Sequence, residues 1–145
     1  MAHIGPIGEV EKGRNLKAAI VAPQCHKETW FDSFEVLTEF IDFARGNKNI
    51  DVNRVYIVGA SMGAYATWQM CISHPDWFAA AVPVCGGGMY WNAARLKDLP
   101  VWAFHGDCDD VVLAEESLHM VDAVNKYGGF IAALQGERNR CSHKG

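Results

Sequence analysis

The stretch that decides the fold is Arg-Val-Tyr-Ile-Val-Gly-Ala-Ser-Met-Gly, residues 54–63, in which an apolar run leads into a G-x-S-x-G motif. Val55–Val58 is short and apolar, as a buried strand requires, and Ala64–Cys71 continues the motif as a helix. Ser61 therefore falls on a tight turn between a strand and a helix. That is the context in which G-x-S-x-G forms a nucleophile elbow.

The residue types around Ser61 suit such a turn. Side chains at Gly59 and Gly63 would collide with neighbouring backbone, so we expect both positions to require glycine. The helix that follows directs its free N–H groups towards the reaction centre, where an oxyanion would form. The alternative interpretation is an ordinary glycine-lined turn in which Ser61 has no chemical role.

Length, composition and charge exclude several classes of protein. With 145 residues, half of them apolar, the chain fits a single domain (1–145) with a sizeable core. The net charge of −4 argues against a surface for nucleic acid or for anionic membranes. No apolar run reaches the roughly 18 residues of a membrane span, and the N-terminus has no apolar signal-peptide core.

The five cysteines give no framework. Their number is odd and no C-x-x-C occurs, so neither a disulfide framework nor a zinc site is predicted. Cys71 and Cys85 lie in apolar surroundings and are interpreted as core thiols. A reducing, cytoplasmic compartment is the simplest interpretation for the chain as given, although the parent protein could be secreted.

Apolar runs alternate with helical patterns along the chain. Residues 1–15 are predicted to form a loop or a ragged end. Strands are predicted at Lys17–Ala22, Val55–Val58, Phe78–Val84 and Pro100–Phe104, with a further apolar segment at Phe130–Leu134. Helices are predicted from a cap at Asp32 to Gly46, after Ser61, and over Glu115–Tyr127. This order predicts an α/β fold with three α/β/α layers, a mostly parallel sheet covered on both faces, and working loops at the carboxyl ends of the strands.

A serine nucleophile needs a base, and the base needs a carboxylate to orient it. In doubly wound hydrolases the chain order is serine, acid, histidine. The carboxylates that directly follow a strand after Ser61 are Asp107, Asp109 and Asp110, and one of them is predicted to be the acid.

Two histidines follow that loop. His119 lies in the middle of the helix at Glu115–Tyr127, where a surface or half-buried helix residue is expected. His143 lies beyond room for one helix and one strand, which makes it the well-placed base. The alternative interpretation of His143 is a residue of the chain's tail without a catalytic role. His105 is interpreted as a residue that supports its loop.

Three segments together resemble the α/β-hydrolase esterases, in the phospholipase/carboxylesterase and predicted-peptidase branch related to dienelactone hydrolases. They are Gly59–Gly63, His105–Val112 and the loop Ala22–Cys25. The resemblance extends over about residues 4–115. It implies that Asp109 is the acid, with Asp107 and Asp110 as neighbours, and that the base lies in Ser142-His143.

The resemblance also implies that parts of the family fold lie outside this chain. Family members carry a strand and a His-Gly-x-Gly-type loop upstream of the region matching Ile4–Glu11, and a further strand and helix at the other end. We therefore expect an α/β-hydrolase fold without its N-terminal strands and C-terminal elements. Exposed sheet edges would then favour a homo-oligomer.

The resemblance implies a serine esterase that acts on a small-molecule ester without a metal or organic cofactor. Ser61 would attack the carbonyl, His143 would act as the base, Asp109 would orient it, and Met62 N–H would hold the oxyanion. Three aromatic residues are candidates for the substrate pocket, although packing would equally explain them: Trp30, Tyr90 and Trp91.

Two alternatives stay open. The same residues would serve a serine peptidase or acyl-peptide hydrolase that acts on short peptides. A catalytically weak or inactive α/β-hydrolase-like binding module is favoured by the missing oxyanion loop, since one lost donor costs about 2.7–4 kcal/mol of transition-state stabilisation.

Overall fold

The computed structural model describes residues 5–135, and these form four α-helices and one four-stranded sheet. The helices are α1 (Gly5–Glu11), α2 (Phe34–Arg45), α3 (Met62–Ser73) and α4 (Ala114–Lys126). The strands are β1 (Tyr56–Ala60), β2 (Ala80–Val84), β3 (Val101–His105) and β4 (Ile131–Gln135). Short 3₁₀ helices lie at Phe31–Ser33, Val52–Arg54, Pro75–Trp77 and Tyr90–Leu96.

All four strands run parallel, in the spatial order β1-β2-β3-β4. Tyr56 pairs with Ala80, and Val101 pairs with Ile131. Because the strands are parallel, their carboxyl ends meet at one edge of the sheet, and long connections must return the chain to the opposite edge each time. The predicted α/β fold class is confirmed, and β1, β2 and β3 each begin or end within two residues of the predicted strands.

The core lies where α3 packs on β1 and β2 and where α4 packs on β3 and β4. The side chains of Trp68, Met70 and Cys71 on α3 have no exposed surface. A helix that is apolar on most of its circumference is one buried between a sheet and other helices. This packing fixes the start of α3, and with it the turn that carries Ser61.

The sequence predicted cover on both faces of the sheet, but the face opposite α3 and α4 is largely open in the described residues. Tyr56 and Val58 are 61% and 51% exposed, and Trp102 is 49% exposed. Val101 and Ala103, which alternate with Trp102 along β3, are buried on the helical side. Exposed apolar surface of this kind favours association, so the homo-oligomer stays a prediction.

The predicted strand at Lys17–Ala22 is wrong. Residues 17–22 are exposed and form no ladder with β1, whose only partner among the described residues is β2. A strand needs a neighbour to satisfy its backbone N–H and C=O groups. An apolar sequence alone therefore does not produce a strand here.

Two predictions about helix starts are also wrong. Gly5–Glu11 forms α1 where a loop was expected, with Gly8 buried, so packing outweighs the low helix propensity of glycine. Asp32 does not cap α2, which begins at Phe34. Its carboxylate instead accepts hydrogen bonds from Thr29 N at 2.9 Å and Thr29 Oγ1 at 2.7 Å. These bonds lower the pKa of Asp32.

The cysteines partly follow the prediction. Cys71 is a buried free thiol, and burial raises its pKa to about 12. Cys25 and Cys85 are free and half-buried. Cys108, however, is disulfide-bonded. The sequence predicted no disulfide framework, and the bond at Cys108 shows that an odd number of cysteines does not prevent one pair from forming.

Candidate active site

Ser61 lies between β1 and α3 in a backbone conformation that most residues avoid. Its φ is 52° and its ψ is −120°. Its N–H donates to Val84 O at 2.9 Å, and its carbonyl accepts from Ala64 N at 2.8 Å. A positive φ in a non-glycine residue persists only where the surroundings enforce it, and such strain concentrates at functional sites. The residue is exposed, so its hydroxyl is open to a reactant.

Gly59 and Gly63 of the motif have different surroundings, and only one of them excludes a side chain. A Cβ at Gly59 would collide with Gly63 O and would lie 2.5 Å from Thr67 Oγ1. Thr67 Oγ1 also donates to Gly63 O at 2.9 Å, which holds that carbonyl against Gly59. A Cβ at Gly63 would meet nothing within 4 Å outside its own helix. The predicted collision is therefore confirmed at Gly59 and wrong at Gly63, because α3 turns that position towards open space.

Met62 is the first residue of α3. The first N–H groups of a helix have no acceptor within the helix, and the helix dipole adds partial positive charge at this end. The Met62 N–H follows Ser61 directly, so it lies at the position predicted for the oxyanion donor. An anion formed on a group bound to Ser61 Oγ would meet it there.

The glycine loop Gly86–Gly88 follows β2 and passes close to the elbow. A Cβ at Gly86 would lie 3.0 Å from Ser61 O and 2.6 Å from the Cβ of Ala64, and a Cβ at Gly88 would lie 2.8 Å from the Cβ of Trp68. The loop therefore has glycine at these positions because the backbone lies directly on α3. The glycines thus allow the loop to pass close to α3.

The acid loop, which we define as Gly106–Leu113, follows β3. Asp109 Oδ1 accepts hydrogen bonds from Val111 N at 3.0 Å and Val112 N at 2.9 Å. These two backbone bonds, that from Val112 first, hold the pKa of Asp109 below its usual value, and the nearby His105 lowers it further. Asp109 Oδ2 lies 3.8 Å from His105 Nε2. The carboxylate is thus oriented by its own loop and stays ionised.

The strand order relates the two parts of the candidate site. Ser61 follows β1 and the acid loop follows β3, so β2 alone separates them at the same edge of the sheet. Two strand spacings amount to about 10 Å, which leaves room for an imidazole between them. The predicted base, His143, lies outside the described residues and follows β4 in the sequence.

The candidate pocket residues fall into two groups. Trp30 is half-buried and packs against the hydrophobic core. Tyr90 and Trp91 are 49% and 63% exposed, and their ring centroids lie 5.2 Å apart in an edge-to-face arrangement. His119 lies on α4, as predicted, with its ring 5.7 Å from that of Tyr90. The structure therefore brings Tyr90, Trp91 and His119 together as one exposed aromatic cluster.

Sequence reasoning missed two polar residues that lie beside the candidate site. Tyr65 on α3 has its pKa raised, first by burial and then by the charge of Glu116. Ser117 on α4 is 5% exposed and donates to Gly86 O at 2.8 Å. The sequence assigned neither residue a place at the site, because each lies within an ordinary helical pattern.

Within residues 5–135 no group of three or more histidine, cysteine or acidic side chains is placed to hold a metal ion. In the same range no helix is long and apolar enough to cross a membrane.

Sequence comparison links the chain to hydrolases. Residues 4–93 match the prolyl oligopeptidase family. The poly(3-hydroxyalkanoate) depolymerase C of Paucimonas lemoignei is 41% identical over 51 residues, which are 35% of this chain and 12% of that protein. Acetylxylan esterase A of Emericella nidulans is 31% identical over 64 residues, 43% of this chain and 21% of that protein. The chain thus spans at most about a quarter of the length of such relatives.

Solved structures agree on the fold. A thermostable esterase is 38% identical with a TM-score of 0.71, over 75% of this chain and 29% of its own. The acylaminoacyl peptidase of Pyrococcus horikoshii has a TM-score of 0.64 at 16% identity, over 76% of this chain and 24% of its own. The second likeness bears on the fold alone. Both support the α/β-hydrolase resemblance.

Proposed function

Because this chain belongs to the prolyl oligopeptidase family, we propose that it is a serine hydrolase that cleaves carboxylic esters through an acyl-enzyme. The observation that carries the proposal is the strained, exposed conformation of Ser61 at the start of a buried helix. An ordinary turn between a strand and a helix has no need of a positive φ at a serine.

In the proposed reaction, Ser61 Oγ attacks the carbonyl carbon of the ester while a ring nitrogen of His143 takes the hydroxyl proton. Met62 N–H stabilises the oxyanion of the tetrahedral intermediate. Collapse of that intermediate breaks the bond to the alcohol, which leaves with the proton from His143. Water then attacks the acyl-enzyme by the same steps in reverse, and the carboxylic acid departs.

In this proposal Asp109 acts as the triad carboxylate. It orients the His143 ring and stabilises the imidazolium that forms during each proton transfer. The lowered pKa of Asp109 supports this role, because the carboxylate must stay charged at the pH of the reaction. Oδ1 is occupied by the loop backbone, so Oδ2 is the oxygen available to an imidazole.

The proposed substrate is a small-molecule ester. Two relatives are named acetylxylan esterases and one is named a poly(3-hydroxyalkanoate) depolymerase. These names support an ester as the substrate but do not identify which ester is cleaved. Tyr90 and Trp91 are proposed to contact the acyl or alcohol group, since they form an exposed aromatic surface beyond the glycine loop.

A peptidase is the second candidate function. The family carries the name of a peptidase, and an acylaminoacyl peptidase shares the fold. A matched pair of substrates, an ester and an amide with the same acyl group, separates the two functions. An esterase hydrolyses the ester far faster, whereas comparable kcat/KM values on the amide favour the peptidase.

A fluorophosphonate probe tests the proposal directly. We expect the probe to label the 145-residue chain, and Ser61→Ala to abolish the label and to lower kcat by about 10⁶-fold, as for loss of a triad serine. Ser73→Ala is the matched control, because Ser73 ends the same helix. Absence of label, or a label that survives in Ser61→Ala, refutes the proposal and leaves the binding module as the better interpretation.

A further inference from the structure

A buried chain of hydrogen bonds links the acid loop to α3 and α4. It begins at His105, the last residue of β3, which is 6% exposed. His105 Nε2 lies 2.8 Å from Val112 O, and His105 Nδ1 lies 2.6 Å from Ser117 Oγ. Ser117 Oγ donates to Gly86 O at 2.8 Å, and the same carbonyl accepts from Trp68 Nε1 at 3.2 Å. The chain of bonds thus runs from the acid loop to the helix of the elbow.

The protons available to these atoms determine the direction of each bond. Val112 O and Gly86 O can only accept, so His105 Nε2 must donate to the first and the Ser117 hydroxyl to the second. A serine hydroxyl has one proton, so Ser117 Oγ is left as the acceptor for Nδ1. All three bonds therefore form together when both ring nitrogens of His105 donate.

The same ring faces the acid. Asp109 Oδ2 lies 3.8 Å from His105 Nε2, with 3% of the His105 side chain and 24% of the Asp109 side chain exposed. The peptide groups of Val112 then contact both residues, since the Val112 carbonyl accepts from His105 and its N–H donates to Asp109 Oδ1. Val112 is therefore the point at which His105 holds the loop.

We propose that His105 is a positioning residue that fixes the acid loop to α4 through Ser117 and thereby places Asp109 for its partner. The bond to Val112 O is the one that matters, because Val112 N–H in turn orients the carboxylate. His105 itself touches no substrate in this arrangement. The inference rests on the proposed function for its consequence in catalysis, but the loop attachment can be measured without any activity.

Amide hydrogen exchange in the 145-residue chain tests the attachment. His105→Gln keeps a side-chain N–H near the former Nε2, whereas His105→Asn keeps one near the former Nδ1. We expect His105→Asn to speed exchange at the Val111 and Val112 amides about tenfold or more, as loss of one buried hydrogen bond implies. His105→Gln should speed it clearly less. Equal acceleration in both variants, or none, overturns the proposal.

Two controls separate a local effect from unfolding. His74→Asn removes a histidine that stacks on Trp77, 3.9 Å between ring centroids, away from the acid loop, and should leave the loop amides unchanged. The Val124 amide, in the buried part of α4, reports on global stability. If Val124 also exchanges faster in His105→Asn, Ser117→Ala decides. It removes the bond to Nδ1 together with the bond to Gly86 O, but leaves His105 and its bond to Val112 O in place. Faster loop exchange in Ser117→Ala supports the proposal, and unchanged exchange overturns it.

Kinetics separate this proposal from the proposed function. His105→Asn should lower kcat with little change in KM, and should lower it no further when Asp109 is already asparagine, because His105 acts through that carboxylate. Additive losses contradict the route through Asp109. If Asp109→Asn alone leaves kcat unchanged, the proposed acid fails, while the exchange rates still decide whether His105 holds the loop.

Discussion

The elbow and the acid loop are the two halves of the candidate site, and they are held in place by different forces. Ser61 is held by backbone sterics within a few residues: its φ is 52°, and Gly63 O occupies the space where a Cβ of Gly59 would lie. Asp109 is held by hydrogen bonds to its own loop, and that loop is attached to Ser117 by His105.

This difference separates local from non-local information. A steric requirement that involves residues 59–63 appears in the sequence as a motif, because each neighbour is fixed by its position. A hydrogen bond from β3 to α4 joins residues 12 positions apart in elements of ordinary composition. The elbow should therefore respond to changes in side-chain volume, and the acid loop to changes in charge and hydrogen bonding.

After the loss of Ser61 itself, the largest expected effect concerns the charge of the acid loop. Asp109→Asn should lower kcat by about 10⁴-fold, roughly 5.5 kcal/mol, because an amide cannot hold the base in the right tautomer. Asp110→Asn is the matched control, since Asp110 is the exposed neighbour in the same loop. Steady-state kinetics on an ester with both variants measure the difference. An inactive Asp110→Asn beside an active Asp109→Asn would contradict the assignment of the acid.

The elements that the sequence predicted best are those whose pattern is local and complete. α4 runs from Ala114 to Lys126 against a predicted Glu115–Tyr127, and β1, β2 and β3 lie close to their apolar runs. Lys17–Ala22 has an equally suitable pattern but pairs with no strand among the described residues, so it forms no strand and is exposed. Strand propensity is a property of one segment, whereas a stable strand also needs a neighbouring strand to pair with.

The candidate site shows the same limit. The turn at Ser61 was predictable, since the glycine spacing around it indicates close backbone contacts. The open space at Gly63 was not predictable, because it depends on where α3 points after the turn. The support that Ser117 gives to His105 was also not predictable, since it depends on how α4 packs on β3.

A smaller effect should distinguish the two glycines of the elbow. Gly59→Ala places a methyl group against Gly63 O, a fixed backbone atom, and should cost about 3 kcal/mol of unfolding free energy or more. Gly63→Ala meets open space within a helix and should be neutral or stabilise by about 0.5–1 kcal/mol. Urea unfolding of both variants measures this. Equal losses would show that the steric account of the elbow is wrong.

The smallest expected effect is a dependence on pH that belongs to the acid loop alone. The pKa of Asp109 lies below its usual 3.8, chiefly through the N–H groups of Val112 and Val111. A carboxyl whose pKa is lower in the folded state stabilises the fold above its unfolded pKa, and this contribution is lost as the pH falls through the folded value. From about pH 4 downwards, wild type should therefore lose unfolding free energy more steeply than Asp109→Asn.

Gly63→Ala changes the elbow without a titrating group, so its urea midpoints should fall in parallel with those of wild type. A wild-type curve that parallels Asp109→Asn down to pH 2.5 would mean that the loop amides do not hold the carboxylate, and that the two halves of the site are not held differently after all.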